Sequence, residues 1–215
     1  IVLSVMNGFQ KEVRDRMLSV VSHIEVYAAN GAALPDLPTT LLEVKAHPQV
    51  VGAAPFIAAQ ALLARGEDMK GVMVRGIDPA LEHEVTDLVA GPQAAVLSQL
   101  RAGEFGVVLG AELARSLGLH AGDRVTLVAP SGEVTPAGVV PRLKQMTVVG
   151  TFDSGHFEYD SALVMLHWQD AARIFRLEGP TGVRLKLKGL QQARKVASDL
   201  TRSLTGELYI RDWTR

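Results

Sequence analysis

The sequence predicts an α+β protein in which one split domain is interrupted by a second, mainly β part. Two observations carry this expectation. After an opening helix the chain runs strand–helix–strand–strand, and it closes on strand–helix–strand, giving βαββ and then βαβ, whereas the middle is written in short strands, short helices and closely spaced turns. Each βαβ unit needs a sheet with a helix on one face, so the two ends, residues 1–83 and 179–215, are expected to form one layered domain around an insert at 84–178. Any parallel pairing within it would need the right-handed crossover.

The first element is a helix. Val5, Phe9, Val13, Met17 and Val21 recur every fourth residue, with Lys11, Glu12, Arg14, Asp15 and Arg16 between them. That spacing is amphipathic to about residue 21, and it suits a core-facing helix or a stalk leading to a membrane. "HIEVYA" alternates as a strand; "GAALPDLP" is a loop; "TTLLEVKAHP" is a short helix begun by a Thr cap and ended before Pro48. Two long strands follow near 50–64 and 70–77, joined by the polar turn "RGEDMK". In the insert come a helix "PQAAVLSQLRAG", a strand "GVVLG", a helix "AELARSLG" closed by Gly118, and a turn "LHAGD" into a strand at 124–129. Beyond a long loop at 130–145 lie a strand "MTVVGTF", a polar turn "DSGHFEYD", a strand "ALVML" and a helix "WQDAARIF". The closing unit is a strand "GVRLKLKG", an amphipathic helix "LQQARKVASDLTRSLT" and a strand "GELYIRDW". The opening has neither an initiator Met nor a cap before its apolar run, and the chain stops at "DWTR" directly after a strand. Both features are expected of a piece of a longer protein with more helix before Ile1.

Composition narrows the function classes. The 215 residues are 47% apolar and 21% charged with a formal net charge of −1, an ordinary globular balance without the basic excess of a nucleic-acid footprint. The absence of cysteine excludes disulfides, thiolate nucleophiles and Cys-based metal sites, while leaving an oxidising compartment allowed. No run of about 20 apolar residues is present to span a membrane. There is no G-x-x-x-x-G-K-[ST], no G-x-G-x-x-G after a strand and no G-x-S-x-G, so ATP, if used, is handled by another chain. The six histidines are scattered without an i,i+4 pair, and "HEVTD" at 83–87 reads as a solvated linker or as stray ligands. "DSGHFEYD" gathers Asp153, His156, Glu158 and Asp160; it suits an acid/base cluster or a divalent-metal loop, and equally a polar hairpin turn where Asp, Ser and Gly serve the backbone.

The loop "PSGEVTPAGVVPRLKQ" is about three times longer than a hairpin connection needs. Pro130, Pro136 and Pro141 restrict its shapes, Gly132 and Gly138 let it reverse, and Arg142 and Lys144 charge its base. Val134, Val139 and Val140 have little around them to bury against. Apolar residues beside cations suit docking onto another protein, and a loop folded down on its own subdomain fits the same text.

"IVLSVMNGFQKEVRDRML", "VMVRGIDP", "VVLGAELARSLGLHAGDRVTLVAP", "VVGTF" and the closing "DW" together resemble the LolC/LolE family, membrane subunits of the lipoprotein-releasing ABC transporter of Gram-negative bacteria. The resemblance covers essentially the whole chain. It implies the periplasmic domain between the first two transmembrane helices of an inner-membrane permease, with a split α+β porter-like part and an inserted, mainly β sabre-like part bearing a long protruding β-hairpin. In LolC-type members a hook captures the periplasmic carrier LolA, and residues 131–143 match it in position and in the "TP…G…P" pattern. The implied contacts are Val134, Thr135, Pro136, Ala137, Gly138, Val139, Val140 and Pro141 on the hook, with Pro136 near its tip, and Arg142 and Lys144 on the pad beside it. A further basic position of the family, on the preceding strand, is replaced here by an uncharged residue around Thr126. Implied partners are LolA, an ATPase subunit, a second permease subunit and the lipoprotein substrate. No catalytic residue, metal or cofactor is implied. Two other readings stay open: a MacB- or FtsX-like permease domain for efflux or signalling, and a soluble hydrolase or metal enzyme built on Asp153, His156 and Glu158.

Overall fold

A computed structural model describes residues 23–86 and 92–213. The amphipathic helix expected before residue 22 lies outside them. The elements are β1 (Ile24–Tyr27), α1 (Leu37–Lys45), β2 (Val50–Arg65), β3 (Asp68–Ile77), α2 (Pro92–Leu97), β4 (Gly106–Gly110), α3 (Ala111–Leu117), β5 (Arg124–Thr135), β6 (Gly138–Phe152), α4 (Phe157–Ala162), β7 (Leu163–His167), α5 (Trp168–Phe175), β8 (Gly182–Leu187), α6 (Ala193–Ser203) and β9 (Tyr209–Asp212).

The strands follow one order, β3-β7-β4-β6-β5-β2-β8-β1-β9, and β2 also pairs with β3. At one end β2, β8, β1 and β9 are antiparallel neighbours. The units β1-α1-β2 and β8-α6-β9 are therefore interleaved: β8 lies between β1 and β2, and β1 between β8 and β9. This is the split βαβ arrangement, with each unit's own strands parallel but never adjacent. Ile24, Val26, Val183 and Leu185 alternate onto the face covered by Val44 of α1 and by Val196 and Leu200 of α6. Each such side chain contributes about 1.5–3 kcal/mol when fully buried.

At the other end six strands close on themselves. β2 bonds β3 from Phe56↔Ile77 to Arg65↔Asp68, and its opposite edge meets β5 at Leu62↔Val128 to Ala64↔Thr126. The ring β2-β3-β7-β4-β6-β5 surrounds Ile57, Leu63, Val74, Leu109, Leu127, Val148, Val164 and Leu166. Closure removes strand edges that would otherwise invite foreign pairing. The expected boundary at residue 83 puts β3 and the outer half of β2 with the first part, whereas their ladders run to β7 and β5 of the second. The reason is length: a strand of 16 residues spans roughly 50 Å at about 3.3 Å per residue, enough to serve two sheets in turn.

Several local boundaries moved. The cap of α1 is Asp36, whose carboxylate accepts from Thr39 N at 3.2 Å, so the helix starts before the threonines and carries Pro38 in its first turn. The β2–β3 turn shrinks to Gly66 and Glu67, and Gly66 takes φ +61°. The helix expected through residue 103 stops at Leu97, because Leu100 turns inward to pack with Phe152 and Met165. Val85 and Thr86, read as a solvated linker, are buried at 3% and 5% exposure.

Gly110 ends β4 where α4 crosses it, and a Cβ there would sit 2.1 Å from Asp160 O. Gly110→Ala is expected to cost about 2 kcal/mol as the backbones move apart. Thermal unfolding should show a Tm lower by about 4–8 °C.

Candidate docking site at the β5–β6 hairpin

The residues read as a long loop are strand. β5 and β6 pair from Arg124↔Thr147 to Ala129↔Arg142, and again from Glu133↔Val140 to Thr135↔Gly138, leaving a turn of Pro136 and Ala137. Residues 130–132 face Pro141 alone in the interruption between these ladders. Prolines 130 and 141 cannot donate to a ladder, so they fit only where it is broken. That is also why they disguised the strands. At the tip Thr135 Oγ1 donates to Gly138 O at 2.8 Å, and Gly138 takes φ +116°, a conformation that side chains rarely adopt.

The hairpin leaves the barrel because two strands compete for one edge of β2. β8 pairs along it as far as Phe56↔Gly182, and Thr181 then bonds Phe56 O and Ala58 N. β5 approaches the same edge from the other direction and has β2 partners only from Thr126 to Val128. Past Val128 it has nowhere to go but off the sheet. At its outer end Pro136, Ala137, Gly138 and Pro141 are exposed and Val140 is 52% exposed. The side chains of Val134 and Val139 lie outside the described residues, although both positions belong to the ladder.

A cleft of about 300 Å³ opens at the base, lined by Phe105, Arg142, Leu143, Lys144, Arg173, Ile174 and Arg176. Lys144 Nζ stands 4.1 Å from the centroid of the Phe105 ring, a geometry in which the ring face attracts the cation. Phe105 is held in the left-handed region, φ +52°, by Asp170 at the start of α5. The buried carboxylate accepts from Phe105 N at 3.0 Å and from Gly103 N at 2.7 Å. Leu143 is 65% exposed. Four cations and three apolar side chains thus share one cleft beside the hairpin, a combination suited to an acidic surface with apolar spots.

Arg142 and Lys144 were identified from sequence and do line this cleft. Phe105, Leu143, Arg173, Ile174 and Arg176 were not. Arg173 and Arg176 carry a readable sign, two cations one helical turn apart at the end of α5, but nothing in the text brings them to β6.

The other candidate cluster is spent on the backbone. Asp160 accepts from Ser154 N at 2.8 Å and from Ser154 Oγ at 2.6 Å, and Asp153 accepts from Gly155 N at 3.0 Å. Burial pushes the Asp160 carboxyl above its usual range, against the pull of the Ser154 hydrogen bonds. The second half of the expected turn is the helix α4, on which Glu158 is exposed while Asp160 points inward. Among the described residues no group of three or more His, Cys, Asp or Glu is placed to hold a metal. Among them, too, no helix is long and apolar enough to cross a membrane.

A profile of the family described as MacB-like periplasmic core domain matches residues 1–203. The chain is 41% identical over 213 residues to the lipoprotein-releasing system transmembrane protein LolC of Xylella fastidiosa, covering 99% of this chain and 51% of that protein. With the LolC of Neisseria meningitidis it shares 42% over 217 residues, covering 100% and 52%. With the LolE of Haemophilus influenzae it shares 29% over 216 residues, covering 98% and 51%. It therefore spans about half the length of the curated relatives it matches. Among solved structures, the periplasmic region of MacB from Actinobacillus actinomycetemcomitans is similar at 12% identity and a TM-score of 0.49, covering 88% of this chain and 87% of that one.

Proposed function

Because the chain belongs to the family of MacB-like periplasmic core domains, we propose that it is the periplasmic domain of an inner-membrane ABC transporter permease that releases lipoproteins, and that its β5–β6 hairpin docks the soluble periplasmic lipoprotein carrier, LolA. The observation that carries the docking reading is a hairpin turned off its own barrel, with exposed apolar residues outside and a basic cleft at its root. On this reading Val134 to Pro141 present the gripping surface, while Arg142 and Lys144 form the pad, joined by Arg173 and Arg176. The cations steer an acidic partner inward, and burial of Val140 and Leu143 then holds it. The work is mechanical. A separate cytoplasmic ATPase and a second permease subunit drive extrusion of the lipoprotein, and this domain keeps the empty carrier over the exit. The acyl chains then pass without meeting water, where each exposed methylene costs about 0.8 kcal/mol. We also propose a division of labour between a support made of residues 1–83 and 179–215 and a docking part at 84–178, with β2 as their common strand.

The test is deletion of residues 132–140 in the full-length protein. This removes the outer ladder but keeps Ala129↔Arg142 as the last pair, so thermal unfolding is expected to change little. Carrier capture is expected to fall by at least about 100-fold, the equivalent of roughly two buried apolar side chains. Capture that survives the deletion would sink the hook assignment and return weight to an efflux or signalling permease.

A further inference from the structure

The strands of the hairpin continue down the barrel wall, and the outer side of that wall is built unlike a solvent face. Two rows of directly opposed residues cross four strands there. One runs from Met69 of β3 through Ala64 of β2 and Thr126 of β5 to Gln145 of β6. The next runs through Gly71, Leu62, Val128 and Leu143. Opposed residues share a face, and the alternate positions Leu63 and Leu127 are fully buried inside the barrel, so both rows look outward. An antiparallel wall with one wet side alternates apolar and polar residues. These outward positions carry no charge, and "ALLA" at 61–64 is apolar on both sides of β2. Met69 is 57% exposed and Leu143 65%. On these strands charge returns to the face only at the flanks, with Arg124 beyond Thr126 and Arg75 beyond Met73.

Nothing in the described residues requires a glycine at position 71. Its φ is not positive, and among the described residues an added Cβ would meet nothing within 4 Å. Glycine inside a strand weakens it, and it marks places where a ligand or another backbone comes close. No described element of this chain makes that approach to Gly71, which leaves it to a partner.

We infer that this outer face is a second contact surface for the carrier and takes an uncharged, apolar patch of it, with Gly71 admitting the carrier's backbone. The inference rests on the docking reading, and continuity says which partner comes. Leu143 lies on this face, while its neighbours Arg142 and Lys144 lie on the other side of β6, opposite Ala129 and Leu127. A carrier closing round the root of the hairpin therefore meets both sides of β6 at once. Size points the same way. A stable interface takes about 20–30 residues from each partner, and the projecting ladder from Glu133 to Val140 is far shorter than that. The two sides divide the work: the cations of the cleft steer the approach, and the outer face selects the carrier. An acidic or basic patch laid on that face would lose its water without gaining a counter-charge.

The test uses the full-length protein and purified carrier. Gly71→Val should keep or raise the Tm, because a β-branched residue suits a strand better than glycine. It should nonetheless weaken capture at least about tenfold by blocking the close approach. Met69→Asp should leave the Tm unchanged and weaken capture about tenfold, since its charge is desolvated against an uncharged patch. At about 1 M salt, where the screening length is about 3 Å, the parent chain should keep a measurable part of its capture and Met69→Asp should lose it. If both variants capture as the parent does, the inference is overturned and the hairpin reading stands. Parent capture that vanishes altogether in high salt has the same meaning. A Tm lowered in both variants would show the face covered by this chain's own residues 1–22, and it overturns the inference too. A parent chain that captures no carrier even at low salt sinks the docking reading, and this face with it.

Discussion

Replacing Arg184 with Leu is expected to destabilise the chain by about 3–5 kcal/mol and to lower its Tm by roughly 10–15 °C. Arg184 on β8 is 1% exposed and pairs with Glu82, itself 2% exposed, on the segment that follows β3. Burial is tolerable only because the charges balance locally. Glu25 stands opposite Arg184 in the β1–β8 ladder and bonds Arg211 on β9, while Arg75 of β3 lies within the same field. Burial first, and the charge of Arg184 second, push the Arg75 guanidinium below its usual value, and Glu25 and Glu82 oppose that. Without Arg184, Glu82 keeps its desolvation cost and loses its partner. Well-packed apolar replacement of both partners is often neutral, so Arg184→Leu with Glu82→Leu should recover most of the loss, giving a coupling of about 2 kcal/mol or more in the double-mutant cycle. Additive losses in urea unfolding would refute the pair as a unit. The pair also has a mechanical place, since it clamps β8 of the split βαβ layer to the segment leading into the barrel part.

Much of the fold was legible because it is local. Alternation in "HIEVYA" and "GVRLKLKG" marks β1 and β8, and the four-residue spacing of Val196 and Leu200 marks α6, since these periods follow from which face meets the core. Illegible were the events decided by competition between distant segments. Closure of the barrel depends on β2 using one edge for β3 and the other for β8 and then β5, and no residue in β2 announces the change of partner. The same competition expels the hairpin, whose strands were hidden by prolines that sit at the ladder break. Of the site, the tip and the pad residues on β6 could be read because they are contiguous. The rest of the cleft could not, because Phe105 and Arg173 are separated from Arg142 by dozens of residues and are joined to it only through folding. Glu82 was lost for a related reason: a charged residue in a polar stretch reads as solvated unless its buried partner, about a hundred residues away, is known.

Asp170→Ala is expected to cost about 3 kcal/mol and, separately, to weaken carrier capture about tenfold. The first figure follows from two buried N–H groups, those of Gly103 and Phe105, losing a charged acceptor at about 1–3 kcal/mol each, less what relaxation recovers. The second follows from what those bonds hold. Phe105 at φ +52° occupies a conformation that a bulky residue leaves when it can, and Phe105 O also accepts from Thr147 N at 3.1 Å, so its ring is pinned from both sides under Lys144. Freed from Asp170, the loop relaxes, Lys144 loses its ring and the cleft loses its floor. A tenfold change corresponds to about 1.4 kcal/mol, the size of one ordered cation–ring contact together with a share of apolar burial. Asp170→Asn keeps one acceptor oxygen and should fall between the two. Phe105→Leu separates the effects, because it leaves the acceptor bonds to Asp170 in place: it should retain nearly all the stability and lose most of the capture. All three variants are measured by urea unfolding and by carrier binding well below the transition. If Phe105→Leu binds the carrier as tightly as the parent chain does, the cleft is a structural by-product of α5 packing and the gripping surface is the hairpin alone.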